Sequence, residues 1–256
     1  SRYTMQMPGA VLKMVVSVPR ALDPPKPRVT LALAPIPEAL KMTPARQKAI
    51  TTIANSMPLT ATELTQKTGV SIGVIRGLIH SGAIIKMSGT PNIIFQAPNP
   101  NHSAPILSDQ QAIAANKLLK ILDAGGFEVT VIDGVPGSGK TEVYFQAIAK
   151  LLDTGRQALV LLPEIALSAQ WLERFKCRFG VEPIEWHSDL TAKRRKANWR
   201  AVIEGQAKVV VGARSALFLP FPDLGLIVVD EEHEGAYKQE DGVIYNGRDM
   251  AVVRAQ

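Results

Sequence analysis

Eight consecutive residues, Gly134, Val135, Pro136, Gly137, Ser138, Gly139, Lys140 and Thr141, satisfy the spacing G-x-x-x-x-G-K-[ST] at each fixed position. A strand-like stretch, Glu128 to Asp133, leads into them, and a helix-like one, Thr141 to Leu152, leaves them. A polyphosphate needs a loop whose backbone N–H groups all turn inward, which glycine allows and a Cβ would block. The following helix then aims its positive end at the anion. In that frame Lys140 reaches the β and γ phosphates of ATP and the Thr141 hydroxyl ligates Mg²⁺. A glycine-rich turn that binds nothing is the bland alternative, and the strand-then-helix flanks argue against it.

Such a site needs an acidic partner at the end of another buried strand, and Leu224-Gly-Leu-Ile-Val-Val-Asp-Glu-Glu-His233 supplies one. Its continuous apolar run reads as a central parallel strand. Asp230, at the carboxyl end, is placed to hold Mg²⁺ through water, and Glu231 to orient or deprotonate an attacking water. An Asp-Glu pair after a strand is weak evidence alone; about ninety residues after a phosphate loop it becomes strong. His233 reads two ways, as a structural hydrogen-bonding residue or, following the acidic cluster directly, as a coupling residue.

The segments GVPGSGKTEVY, LLPEIAL, VVVGARSALFLPF, DEEH and YKQEDG, in this order over Leu107 to Gln256, resemble the first motor lobe of the primosomal replication-restart (PriA) family of superfamily 2 DNA helicases. The resemblance implies ATP hydrolysis with Mg²⁺ and 3′ to 5′ movement on single-stranded DNA. It implies forked and single-stranded DNA as partners, with single-strand DNA-binding protein and other primosomal proteins beside them. It aligns Gln111 with a glutamine that reads the adenine edge, although Ser108 also reads as a helix cap there and Gln110 is an equal-looking neighbour. It places Glu164, Arg214 and Ser215 along the DNA backbone, on loops leaving the carboxyl ends of strands, where open α/β sheets bind ligands. It puts Tyr237, Lys238, Tyr245 and Arg248 in an aromatic-rich loop that senses DNA, with Val243-Ile244 and Asn246-Gly247 departing from the family's character. By the same resemblance a Ser-Ala-Thr motif, a second RecA-like lobe and zinc-binding cysteines belong beyond Gln256, so the chain reads as a fragment. A non-motor ATP-dependent switch, or another superfamily 2 translocase that moves on duplex DNA without separating it, stay open beside this reading.

The elements that must hold these groups suggest an α/β fold, a RecA-like P-loop lobe with a parallel central sheet over 99–256, preceded by a winged-helix domain. Proline-containing stretches at Pro19 to Pro37 and Pro91 to Pro105 read as connectors. They leave residues 1–35 as the remnant of an N-terminal DNA-binding domain with its linker, and 36–98 as the winged helix. There, Thr43-Pro44 starts a helix with Ile50, Ile53 and Ala54 inward, Thr60 caps a second with Leu64 inward, and Ser71 caps a third whose stripe is Ile72, Ile75, Leu78 and Ile79. Ala83 to Met87 and Asn92 to Phe95 read as a two-stranded wing; Arg76 and Lys86 could touch DNA phosphate, but helix-turn-helix domains of this size also serve purely as protein-packing modules. The run Lys193-Arg-Arg-Lys196 with Trp199 could be taken for a nucleic-acid patch, but Leu190, Ala197, Ala201 and Val202 make it the solvated face of an amphipathic helix.

Charge is uneven: residues 1–98 carry net +8 and 99–256 net −2, which favours a polyanionic partner at the front. One cysteine, Cys177, excludes a disulfide framework and an all-cysteine zinc site, and suits a reducing cytoplasm. No apolar run approaches eighteen residues and the start shows no signal-peptide pattern, so no membrane partner is expected.

Overall fold

Residues 23–93 form one compact unit and the stretches on either side of them form another in the computed structural model, which describes residues 7–19, 21–23, 27–37, 40–56, 58–89, 95–163 and 169–256. A first helix, α1 (Pro8–Val15), belongs to the flanking unit. The expected boundary at residue 35 therefore lies earlier, and residues expected as a linker are a strand.

In the smaller unit, β1 (Arg28–Leu33) runs antiparallel to β2 (Ile84–Gly89), pairing Leu31 with Lys86 and Leu33 with Ile84. Between them lie α2 (Pro44–Ala54), α3 (Ala61–Thr68) and α4 (Ile72–His80). Thr43 caps α2 by accepting from the Arg46 N–H, with Pro44 in the first turn, where its missing donor costs nothing. Thr60 and Glu63 form a reciprocal capping box on α3. Ser71 occupies the N-cap position of α4 but makes no side-chain cap bond. The core gathers Leu31, Ala49, Ile50, Ile53, Leu64, Ile75, Leu78 and Ile84. Ala49 takes the inward place expected for Ala54, which is exposed, and Ile72 is 42% exposed instead of lining the stripe. The strand paired with β2 is thus β1; residues 92–94 of the expected second wing strand lie outside the described residues.

The larger unit is built on a parallel sheet of order β4-β5-β3-β6: β3 (Gln157–Leu161), β4 (Ile184–Trp186), β5 (Val209–Gly212) and β6 (Leu224–Val229). Alternate residues feed two cores. Leu159, Leu161 and Val210 pack with Trp186, Trp199 and Val202 on one face. Ala158, Val160, Val209 and Val211 pack with Phe145, Ile148, Phe175 and Phe179 on the other. Each fully buried large side chain contributes about 1.5–3 kcal/mol. The faces are covered by α6 (Lys140–Asp153), α7 (Ala169–Phe179), α8 (Ala192–Ile203) and α9 (Gly247–Ala255), α5 (Asp109–Ala124) packs on α6, and a short hairpin of β7 (Lys238–Gln239) and β8 (Tyr245–Asn246) precedes α9. At Gly212 a Cβ would sit 2.3 Å from the Trp186 carbonyl oxygen, so the close approach of β4 and β5 requires glycine there.

Helix α1 and the turn after it are part of this unit's core. Val18 and Ala21 are buried, Trp199 donates its indole N–H to the Val15 carbonyl at 3.3 Å, and Arg200 reaches the Ala21 carbonyl. These apolar residues pack against the α8 face. Trp199 is 3% exposed and stacks on nothing external, as the solvated-face reading of α8 requires. The expected strand Glu128–Asp133 is not formed: Val129 and Val131 are 57% and 78% exposed, and β6 pairs only with β3 among the described residues. An extended segment becomes a strand only when its amides find a ladder, and these line a cavity instead. No helix among the described residues is long and apolar enough to cross a membrane.

Candidate functional site

Gly139, at φ +84°, starts α6, so Lys140 and Thr141 are its first residues and the N–H groups of the first turn open toward the loop. A Cβ on Gly139 would lie 2.3 Å from Gln111 Nε2, because the Gln111 amide lies directly against the loop. Gln111 Nε2 donates to the Ser138 carbonyl at 2.9 Å, while its Oε1 accepts from the Ser108 N–H at 2.9 Å. The expected Ser108 cap is formed, with Gln111 as its reciprocal partner, and the Gln111 amide lies against the phosphate loop. Lys140 Nζ donates to the carbonyls of Gly134 at 2.6 Å and Val135 at 3.4 Å, curling over the loop it serves.

The acidic end of β6 faces this loop across one cavity of about 1250 Å³, lined among others by Gly134, Lys140, Thr141, Tyr144, Asp230 and Glu231. Asp230 Oδ2 accepts from the Tyr144 hydroxyl at 2.9 Å, which ties the end of β6 to the first turns of α6. Its Oδ1 accepts from the Glu231 N–H at 3.0 Å. Glu231 is exposed and is the one non-glycine residue with positive φ among the described residues, at +49°. Holding a residue there costs roughly 1–2 kcal/mol, the kind of strain that collects at working sites. His233 is exposed beside the same cavity.

The donor set fits a magnesium nucleotide. A helix N-terminus with two positive-φ glycines, Gly137 and Gly139, a lysine, a hydroxyl and a carboxylate converge on one space. Buried Tyr144 is shifted well above the ordinary tyrosine value, by burial first and then by the Asp230 charge, so it remains a donor.

The residues expected to meet DNA divide differently. Glu164 lies outside the described residues. Ser215 and Arg248 are exposed, and Arg248 pairs with Asp249 at 3.1 Å. Lys238 is exposed, with its ammonium 2.7 Å from Glu240, a partner that raises its pKa. Tyr237, expected in a sensing loop, is 1% exposed. Its hydroxyl lies 2.6 Å from the Asp230 carbonyl and 3.0 Å from that of Leu161, tying the carboxyl ends of β6 and β3 together. Burial pushes its pKa up, and the charges of Asp230 and Glu231 add to this. Tyr245 is 8% exposed, edge-on to Phe218 at 5.2 Å, with burial pushing its pKa up to about 12. Neither ring offers a face to a base. Arg214 Nη1 donates to the carbonyls of Ala236 and Lys238 at 2.5 and 2.6 Å, so it clamps the segment after β6. Sequence reasoning missed Tyr144 and Trp171; their signal was Tyr144 one helical turn after Lys140, in an otherwise apolar stripe.

Comparison with known proteins agrees with this geometry. Residues 108–253 match the DEAD/DEAH box helicase family. The chain is similar to the replication restart protein PriA of Rickettsia conorii, 52% identical over 159 residues, which are 62% of this chain and 24% of that protein. It is similar to the one from Bacillus subtilis, 39% identical over 233 residues, covering 88% of this chain and 29% of the relative. Against that of Haemophilus influenzae it is 49% identical over 150 residues, 59% of this chain and 20% of the relative. The chain thus spans less than a third of the length of these relatives. With the phosphate loop and the acidic strand end lying inside the matched span, the chain belongs to the DEAD/DEAH box helicase family.

Proposed function

We propose that this chain carries the ATP-hydrolysing lobe of a DNA helicase that acts in replication restart, moving 3′ to 5′ on the single-stranded arm of forked DNA. The observation that carries the reading is the meeting of Lys140 and Thr141 at the start of α6 with Asp230 and Glu231 at the end of β6 in one cavity, with Tyr144 bonded across it. On nucleotide binding, Lys140 exchanges two loop carbonyls for phosphate oxygens, a stronger charge-assisted pairing. Thr141 and Asp230 would hold Mg²⁺, which would neutralise charge on the phosphates when bound. Glu231 would orient the attacking water, and Gln111, whose amide now bonds the Ser138 carbonyl, would read the adenine edge.

Residues 36–98 are read as a winged helix, on the strength of three helices followed by β2 in an antiparallel pair. With net +8 over residues 1–98, salt-sensitive DNA contact belongs to the front of the chain. Single-strand DNA-binding protein and primosomal proteins are its proposed partners, by likeness to the restart proteins, in the cytoplasm.

The test compares parent, Lys140→Ala and Glu231→Gln chains within the intact protein. Lys140→Ala should abolish DNA-stimulated ATP turnover while DNA affinity holds. Glu231→Gln should bind nucleotide and retain it unhydrolysed. Forked substrates with one 3′ or 5′ arm read direction. Parent-level turnover in Lys140→Ala would sink the assignment, and equal unwinding from either arm would sink the direction.

A further inference from the structure

We propose that Tyr144 is a positioning residue of this site: its hydroxyl fixes the Asp230 carboxylate, beside Thr141, in the orientation that takes up the metal of a magnesium nucleotide. The inference rests on the nucleotide reading above and deepens it.

Three distances fix the direction of the proton. Trp171 Nε1 lies 2.8 Å from the Tyr144 oxygen, and an indole N–H can only donate. The phenol oxygen therefore accepts from Trp171 and has a single proton left to give. Asp230 Oδ2, 2.9 Å away, is the acceptor. Asp230 Oδ1 is meanwhile held by the Glu231 N–H at 3.0 Å. With one donor on each oxygen the carboxylate plane is set, and its other lone pairs remain for water or metal. A carboxylate on a free rotor would have to lose that freedom at binding; this one has lost it beforehand.

The placement follows from helical period. Tyr144 comes three residues after Thr141 and four after Lys140, so one face of α6 carries the phosphate-side groups and, a turn later, the group that holds the carboxylate. Thr141 is close enough to oppose, as a hydrogen-bonding partner, the upward shift that burial and Asp230 impose on the phenol. The ring is anchored, 3% exposed and edge-on to Phe145 at 5.4 Å, so the hydroxyl has little room to wander. The Trp171 indole packs on the same cluster, 5.6 Å from Phe175, which makes the donor as rigid as the acceptor. A buried hydroxyl could be satisfied by any carbonyl; this one is spent on the carboxylate that the metal needs.

Tyr144→Phe keeps the ring and removes the proton. The assay is binding of N-methylanthraniloyl-ADP to the 256-residue chain, titrated with Mg²⁺ and repeated with the metal chelated. The expected result is a metal-free affinity within twofold of the parent, and a Mg²⁺ midpoint raised about tenfold, the order expected for a lost hydrogen bond to a charged group. Trp171→Phe, which frees the phenol to turn away, should raise the midpoint by about threefold, and it carries the test if Tyr144→Phe does not fold. An unchanged midpoint overturns the proposal. So does an equal loss of metal-free and metal-bound affinity, the mark of a merely structural role. A parent chain that binds the nucleotide with no response to Mg²⁺ would overturn the site's reading itself, and Lys140→Ala binding as tightly as the parent would do the same, so the two failures are told apart.

Discussion

Tyr237→Phe separates two roles for the segment after β6. If Tyr237 stacked on bases, removing its hydroxyl would leave the ring in place and change little. The structure instead buries the ring and aims the hydroxyl at two backbone carbonyls. The Leu161 carbonyl keeps a partner without it, since it also accepts from the Asp230 N–H at 3.0 Å. The Asp230 carbonyl, 2.6 Å away, loses its hydroxyl donor in a half-buried position. A buried acceptor deprived of its donor costs about 1–3 kcal/mol, and partial access of water puts this one near the lower half, about 1–2 kcal/mol. For a unit of this size each kcal/mol moves the melting temperature by roughly 2–4 °C, so a drop of about 2–8 °C is expected. Calorimetry or circular-dichroism melts of parent and variant read it, and a fluorescence titration with single-stranded DNA completes the pair. A melting temperature within about 1 °C of the parent, with DNA binding unchanged, would refute the burial argument and restore the stacking role.

Glu231→Gly relieves the positive φ that Glu231→Gln retains. The glycine variant should therefore melt no lower than the glutamine one although both lose turnover; a lower value would count against strain at this position. Phe145, fully buried and edge-on to Trp171, Phe175 and Phe179 at 5.5–5.8 Å, should cost about 3–5 kcal/mol when cut to Ala, whereas Phe145→Leu should lose far less by urea denaturation; equal costs would deny the aromatic cluster its role. Burial raises the pKa of Tyr144, Tyr237 and Tyr245 in the folded chain, so their contribution is intact below the unfolded tyrosine value near 10 and is lost as pH climbs beyond it. Phenolate absorbance should accordingly rise together with unfolding above pH 10, and ionisation complete at pH 10 in a folded chain would contradict it.

What could be read from the sequence was what local physics decides. The caps at Thr43, Thr60 and Ser108 are bonds over three residues, and each is present. The runs that became β3 and β5 are continuous because those strands are covered on both faces, and length with β-branched content is enough to see them, whereas β6, expected as a central strand, stands at the end of the sheet among the described residues and is half-buried along its length. The phosphate loop is local too. By contrast, β1 pairs with β2 across more than fifty residues, and its Arg-Val-Thr-Leu-Ala-Leu lies among prolines that read as linker. The same holds for α1, whose reason to fold is the α8 face, far along the chain. Glu128 to Asp133 failed in the opposite sense: its pattern suits a strand, but a strand also needs a neighbour.

Tyr237, Tyr245 and Arg214 are placed otherwise than composition suggests, for a related reason. Tyrosine and arginine on either side of an acidic cluster have the composition of nucleic-acid loops, yet composition carries no direction. Tyr237 hydroxyl reaches Leu161, 76 residues back, and Arg214 reaches forward 22 and 24 residues to two carbonyls. These contacts share a purpose that the sequence does not state. The end of β6 is where the chain must leave the strand, place Asp230, strain Glu231 and turn away within a few residues. Turning that sharply exposes carbonyls that no helix or ladder can satisfy, and long polar side chains are what reaches them. The groups that resemble ligands for DNA are thus largely spent on holding the acidic strand end, while Ser215, Lys238 and Arg248 are left at the surface.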